Sequence, residues 1–209
     1  MIPFPDVSHY FVNIKEDTPE WYEFRNNHIG ASDSPIIMNV SPWRKKHELL
    51  LEKINSISPQ KETYYMRRGK TLEAEALSVF EMETNCLMTK NIVKHPTIEY
   101  IMASLDGISL DGSVCLEIKC PGKKDHRIGM EGKVPEKYFP QLQHQLEVTR
   151  CKKMFYMTYD ELTWNIIEVY RDDDYISALL KAEKEFWDSV LHERKRLQLE
   201  GTYGAANTI

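Results

Sequence analysis

The chain is short of several things that would place it at once. Its four cysteines, Cys86, Cys115, Cys120 and Cys151, form no C-x-x-C pair and no Cys/His zinc spacing. That leaves reduced thiols of the kind found inside cells and argues against an iron–sulfur cluster. No apolar run approaches the roughly 18 residues of a membrane helix, and the first residues lack the basic-then-apolar form of a signal peptide, so a soluble intracellular protein without a membrane partner is expected. Internal repeats and low-complexity segments are missing. Excess positive charge is missing as well: the formal net charge is −5, so bulk electrostatics do not mark a nucleic-acid binder, and any such contact must come from a local basic surface. What is present is 209 residues, 42% of them hydrophobic, enough for one well-buried core and short for two. A single α/β domain over 1–209 is expected.

Pro3 and Pro5 disfavour helix, so residues 1–17 read as an extended N-terminal arm. Thr18-Pro19-Glu20 then opens a helix with a capping residue, a proline at the first position and an early acid. Trp21 and Arg25 lie one turn apart on it. Ile29-Gly30-Ala31-Ser32-Asp33 leads into a further helix start before Pro35. Backbone N–H groups and the Ser32 hydroxyl there, with the Arg25 fork, form a natural anion site, although Ser32 and Asp33 could equally be simple caps. Ser41-Pro42-Trp43 restarts a helix to about Ile54, and 55–61, with Pro59, reads as a loop. From about Glu62 a long helix carries Leu72, Ala76, Val79 and Phe80 as its apolar stripe. Gly69 in its first turns is expected to mark a close approach of neighbouring backbone or of a ligand. Glu73 is a candidate third acid for a metal site, with Glu75 as rival.

The stretch 104–119 organises the rest. Asp111-Gly112 is a two-residue type I′ turn signal, and a hairpin centred there pairs residues whose numbers sum to 223. Asp106 then faces Glu117, with Lys119 on the same face and Leu116 and Ile118 on the other. Opposed carboxylates repel. An acidic pair with an ammonium at its rim is a cradle for a hard divalent cation, Mg²⁺ or Mn²⁺; the plainer reading is a solvated hairpin.

Beyond it, 122–137 reads as a flexible basic loop with Lys123, Lys124, His126, Arg127, Lys133 and Lys137, able to contact phosphates without reading sequence. Tyr138 to Thr149 reads as a helix with Leu142 and Leu146 inward and Gln141 and Gln145 on a neighbouring face; Gln143, His144 and Gln145 read as solvent-facing. Lys153–Tyr159 and Leu162–Tyr170 alternate as a second hairpin. Asp172-Asp173-Asp174 caps a last helix to about Arg196, whose Arg194, Lys195 and Arg196 suit the helix dipole, and the tail after Gly201 reads as loose.

Glu117-Ile118-Lys119, preceded by Leu105-Asp106-Gly107, resembles the core motif of the PD-(D/E)XK nucleases, without the proline that names it. The wider succession Trp21-x3-Arg25, Gly30-Ala31-Ser32-Asp33, Gly69-x3-Glu73, Leu105-Asp106-Gly107, Glu117-Ile118-Lys119-Cys120-Pro121 and Tyr138-x2-Gln141-Leu142-Gln143 resembles the lambda exonuclease and YqaJ-like viral recombinase family over about residues 20–160. The resemblance implies a restriction-endonuclease-like α/β core with a central mixed β-sheet flanked by helices. It implies a Mg²⁺-dependent exonuclease that degrades the 5′-ended strand of duplex DNA and leaves a 3′ tail. A ring-shaped homotrimer and a single-strand annealing protein as partner are implied too. Carried onto this chain, Glu73, Asp106, Glu117 and the main-chain carbonyl of Ile118 would hold metal. Lys119 and Gln141 would serve the attacking water, and Arg25 and Ser32 the 5′-phosphate. Lys123, Lys124, Arg127 and Lys133 would line the DNA, with Trp21 either stacking near its end or lying in the core. The rival readings are an endonuclease or junction-cleaving enzyme of the same superfamily, a non-catalytic DNA-end-binding module, and a calcium-stabilised structural protein.

Overall fold

The computed structural model describes residues 10–55 and 63–206, without the side chains of Tyr65 and of 201–206. Its centre is β4 (Ile101–Ser109), buried at every position except Ser104 and Asp106, which are half-buried. A strand so apolar must be covered on both faces, and it is. The sheet order is β1 (Phe11–Val12), β3 (Met88–Lys94), β4, β5 (Cys115–Lys119), β6 (Lys153–Asp160) and β7 (Thr163–Tyr170), with the short β2 (Ile29–Gly30) added parallel to the start of β4. β5–β6, like β2–β4, runs parallel and the other pairs antiparallel, so the sheet is mixed, as expected.

Helices α2 (Ser34–Ile37), α3 (Lys46–Asn55), α6 (Phe139–Thr149) and α7 (Asp173–Ala206) lie on one face, where Leu49, Leu142, Leu146, Phe186 and Trp187 pack against Ala103, Leu105, Cys115 and Tyr156. The long α4 (Tyr64–Thr84) covers the other face through Leu72, Ala76 and Phe80, against Leu116, Ile118 and Met157. Leu116 and Ile118 thus point away from Glu117, as period-2 alternation requires. α1 (Pro19–Asn26) is capped by Thr18, whose hydroxyl accepts from the Trp21 N–H at 3.3 Å. None of the helices among the described residues is long and apolar enough to cross a membrane.

Several expectations are corrected. The 104–119 hairpin keeps its register, with Gly107 opposite Leu116 and Ile108 opposite Cys115, but its turn is not type I′. The loop runs from Leu110 to Ser113, and Ser109 bonds across it to Val114. Only Gly112 has positive φ, +69°. Asp111 stays at negative φ because its carboxylate folds back onto the Ser109 and Ser113 hydroxyls and the Ser113 N–H. A four-residue and a two-residue loop with one centre give the same register.

The first half of the basic stretch after the hairpin is not a loop: Gly122 starts α5 (Lys123–Met130), and irregular backbone is confined to 131–135 before the 3-10 turn Glu136–Tyr138. The helix after Ser41 begins at Lys46 rather than Trp43, because the Ser41 hydroxyl accepts from the N–H groups of Trp43 and Arg44 and holds both in a turn. Gly69 has open space around its missing Cβ, so no neighbouring backbone explains it. α7 continues through Gly201 to Ala206. Arg194 serves more than a helix dipole: it donates to the carbonyls of Asn26 and Lys53 and to Asn27 Oδ1, tying α7 to the ends of α1 and α3. Residues 10–17 of the arm add β1 to the sheet edge, while 1–9, 56–62 and 207–209, including most of the loop expected around Pro59, lie outside the described residues.

Candidate active site

The site forms where the sheet fails to close. β3 occupies one edge of β4 along nearly its whole length, but the other edge is shared: β2 pairs with Ile101 and Met102, β5 with Gly107 and Ile108. Among the described pairings, 103–106 have no strand on that side. A cavity of about 460 Å³ opens there, lined by Ser104, Asp106, Glu117 and Gln141 and, opposite, by Trp21, Arg25, Ala31 and Ser32.

β4 also carries one extra residue against β3. Asn91 pairs with Leu105 and Thr89 with Ile108, so two steps on β3 match three on β4, a β-bulge facing Lys90. A bulge re-aims a side chain. The carboxylate of Asp106 takes the Ile118 N–H at 2.8 Å instead of leaving it to the ladder. Gly107 beside it is obligatory, because a Cβ there would come within 2.9 Å of Met88 Cβ.

Glu117 is buried and held from α6: Gln141 donates to Oε1 at 2.6 Å and Gln145 to Oε2 at 2.5 Å, while Lys119 also donates to Oε1. Burial, then the charges of Glu117 and Glu73, push the Asp106 carboxyl well above the ordinary aspartate range, against the pull of Lys119 and the Ile118 N–H. Burial opposes the Lys119 ammonium, but Glu117 and Asp106 outweigh it and hold its pKa above the usual lysine value. Glu73 pairs with Lys90. Its rival Glu75 accepts from the Tyr159 hydroxyl at 2.6 Å and is committed there.

These residues fit a hard divalent cation by donor chemistry: Asp106 and Glu117 bring carboxylate oxygens to one cavity, and oxygen is the ligand Mg²⁺ and Mn²⁺ take. Among the described residues no three His, Cys, Asp or Glu side chains converge as they stand, since Glu73 turns to Lys90 and Glu117 to Lys119.

On the opposite wall Arg25 Nη2 donates to Ser32 Oγ at 3.1 Å, so the two residues read as an anion site do meet. Asp33 stands at the N-cap position of α2 without a side-chain cap bond to it, and its carboxylate instead closes the capping box of the 3-10 turn Ala31–Asp33, while Ser32 makes no cap bond. Asp33 is wholly buried, accepts the Gly30 N–H at 3.0 Å and pairs with Lys53 Nζ at 2.8 Å. Lys53, also wholly buried, donates to the carbonyls of Arg25 (2.9 Å) and His28 (2.7 Å), fixing the end of α1 that presents the guanidinium.

Trp21 is 6% exposed and packs with Ile92 and Met102, so it is a core residue with an edge on the cavity. Lys123, Lys124 and Arg127 are exposed on α5, and Lys133 is exposed beyond it. The expectation that Gln143, His144 and Gln145 face solvent is overturned, because α6 is buried on all sides. Gln145 grips Glu117. Gln143 bonds Tyr170 and Asp172, and His144 bonds Ser34, Glu183 and the Met102 carbonyl. Spacing shows that Gln141 and Gln145 share a face, but not that partners wait on every side of the helix. Lys53 gave no signal at all.

The profile of the YqaJ-like viral recombinase domain matches residues 20–152. The protein YqaJ of Bacillus subtilis (strain 168) is 29% identical over 203 residues, covering 92% of this chain and 62% of that relative, so the chain spans less than two thirds of the relative's length. Among solved structures, LHK-Exo, an alkaline exonuclease from Laribacter hongkongensis, is similar with a TM-score of 0.78 at 26% identity, over 89% of this chain and 99% of that one. LHK-Exo in complex with dAMP gives a TM-score of 0.79 at 25% identity, with the same coverage. A phage-related exonuclease of Haemophilus somnus 129PT shares the fold, with a TM-score of 0.58 at 14% identity over 83% of this chain and 96% of that one.

Proposed function

Because the chain belongs to the YqaJ-like viral recombinase domain family, we propose that it is a metal-dependent exonuclease acting on the 5′-ended strand of linear duplex DNA and leaving a 3′ single-stranded tail. The observation that carries this reading is the cavity itself. One wall presents Asp106 and Glu117, and the other presents the Arg25–Ser32 pair.

Asp106, Glu117, Glu73 and the Ile118 carbonyl would hold Mg²⁺, or Mn²⁺ in its place. A bound divalent ion there supplies Lewis-acid polarisation of the phosphodiester and an activated water. The chain's own groups do the rest. Gln141 and Gln145 fix the Glu117 carboxylate so that it presents one orientation. Lys119, hydrogen-bonded to Glu117 Oε1, positions or deprotonates the attacking water, and its charge stabilises the oxygens of the developing phosphorane. Arg25 and Ser32 receive a terminal phosphate by charge-assisted hydrogen bonds. A phosphate tied to a further nucleotide cannot seat there, which selects ends. Lys123, Lys124, Arg127 and Lys133 attract the duplex through its phosphates. Assembly as a homotrimer and work beside a single-strand annealing protein belong to the same proposal.

The test is gel analysis of linear duplexes with 5′-phosphate or 5′-hydroxyl ends, with Mg²⁺ or EDTA, for the native protein and Lys119→Ala. The expected result is metal-dependent loss of the 5′-phosphorylated strand to mononucleotides, absent in the variant. Internal cuts indifferent to the end group would leave a nuclease but discard the exonuclease reading.

A further inference from the structure

Trp43 is the feature the reading above does not use. It sits outside any helix, in the turn held by Ser41, and is 63% exposed, unusual for the largest apolar side chain. It is not a loose ring. It stacks on Tyr138 with centroids 6.2 Å apart and planes 28° apart, and Lys137 Nζ lies 4.4 Å from its centroid. Tyr138 is buried, and on it rests Lys119, its Nζ 5.5 Å from that ring. An unbroken relay therefore runs from the reactive lysine through one aromatic ring to a second ring open to solvent.

The surroundings are cationic. Lys137 neutralises Asp125 at 2.5 Å, which leaves the adjacent Lys123 and Lys124 of α5 exposed, and exposed Lys45 stands two residues beyond the ring. A rigid aromatic face flanked by ammonium groups is complementary to a nucleobase and its phosphate, and every base offers a π-face. A duplex keeps its bases stacked on each other, so only unpaired bases can use such a face.

We propose that Trp43 is a stacking platform for single-stranded DNA at the margin of the active site, with the exposed Lys123 and Lys124 of α5 taking the phosphates of the same strand. Its purpose rests on the nuclease reading: a strand separated from its complement beside Lys119 leaves across Trp43.

The test is equilibrium binding of a fluorescein-labelled oligothymidylate of about a dozen nucleotides, and of a blunt hairpin duplex, in EDTA. The native protein, Trp43→Ala and Trp43→Phe are compared, with light scattering for the oligomeric mass. The expected result is single-strand binding weakened roughly 5- to 100-fold in Trp43→Ala and largely kept in Trp43→Phe, with hairpin binding changed less than about twofold. Unchanged single-strand binding in Trp43→Ala overturns the proposal. So does a loss accompanied by a change in mass, which would assign the ring to a second copy of the chain. If the native protein cleaves no DNA yet Trp43→Ala alone loses single-strand binding, the nuclease reading falls and the platform stands.

Discussion

Gln145 donates to Oε2 of Glu117 at 2.5 Å from the middle of a helix with no exposed interior position. Replacing it with leucine leaves one buried carboxylate oxygen without that donor, which costs about 1–3 kcal/mol. Gln145→Leu is expected to lower the denaturant midpoint and to reduce kcat about tenfold or more with little change in KM for DNA. An unchanged kcat would show that Gln141 alone orients Glu117.

Asp106 is held in a form its surroundings disfavour, since burial and the neighbouring acids raise its pKa. Below the ordinary aspartate pKa both folded and unfolded chains carry the proton, and nothing is lost. As pH rises past that value the unfolded chain releases it first, so stability falls until the raised folded pKa is passed. Asp106→Asn removes this loss and can still accept from the Ile118 N–H. The variant is expected to melt higher than the native protein in EDTA at neutral pH, to match it near pH 3 and to cleave no DNA. Added Mn²⁺ should raise the native melting temperature and move that of the variant less.

Lys53 is a buried cation serving one carboxylate and two carbonyls. Lys53→Met leaves the buried Asp33 with only the longer Arg25 contact at 3.7 Å and is expected to cost about 3 kcal/mol in chemical unfolding. Lys53→Met with Asp33→Asn should recover much of that, because no unpaired charge remains. Equal losses in both variants would mean that the carbonyl contacts, not the ion pair, carry the stability.

Glu147 gathers His95 (3.0 Å), Arg150 and Arg171. Burial works against its charge, but these partners hold its pKa at about 2. Its stabilisation is complete above the ordinary glutamate value and drains away as pH falls from about 4.5 towards 2, on the order of 2–3 kcal/mol in all. Glu147→Gln is expected to flatten that limb of the stability curve. A variant that loses stability in step with the native protein between pH 5 and 3 would assign the acid sensitivity elsewhere.

The parts of the molecule legible in the sequence were those fixed by local chemistry. The cap at Thr18, the register of the 104–119 hairpin and the facing of Leu116 and Ile118 follow from side-chain type and period. The meeting of Arg25 and Ser32 followed from one helix face and one turn. Illegible features were made by distant partners. Nothing near Lys53 in the chain announces Asp33, and nothing in α6 announces that Gln143, His144 and Gln145 each find a buried mate. The turn type failed because the Asp111 carboxylate competes with the backbone for the loop's donors.

The extra residue in β4 is a matter of chain length. A strand of regular pitch at this place would pair more completely and would turn its acid elsewhere. The irregular step thus sets the aim of the acid through the length of the backbone rather than through the choice of any side chain.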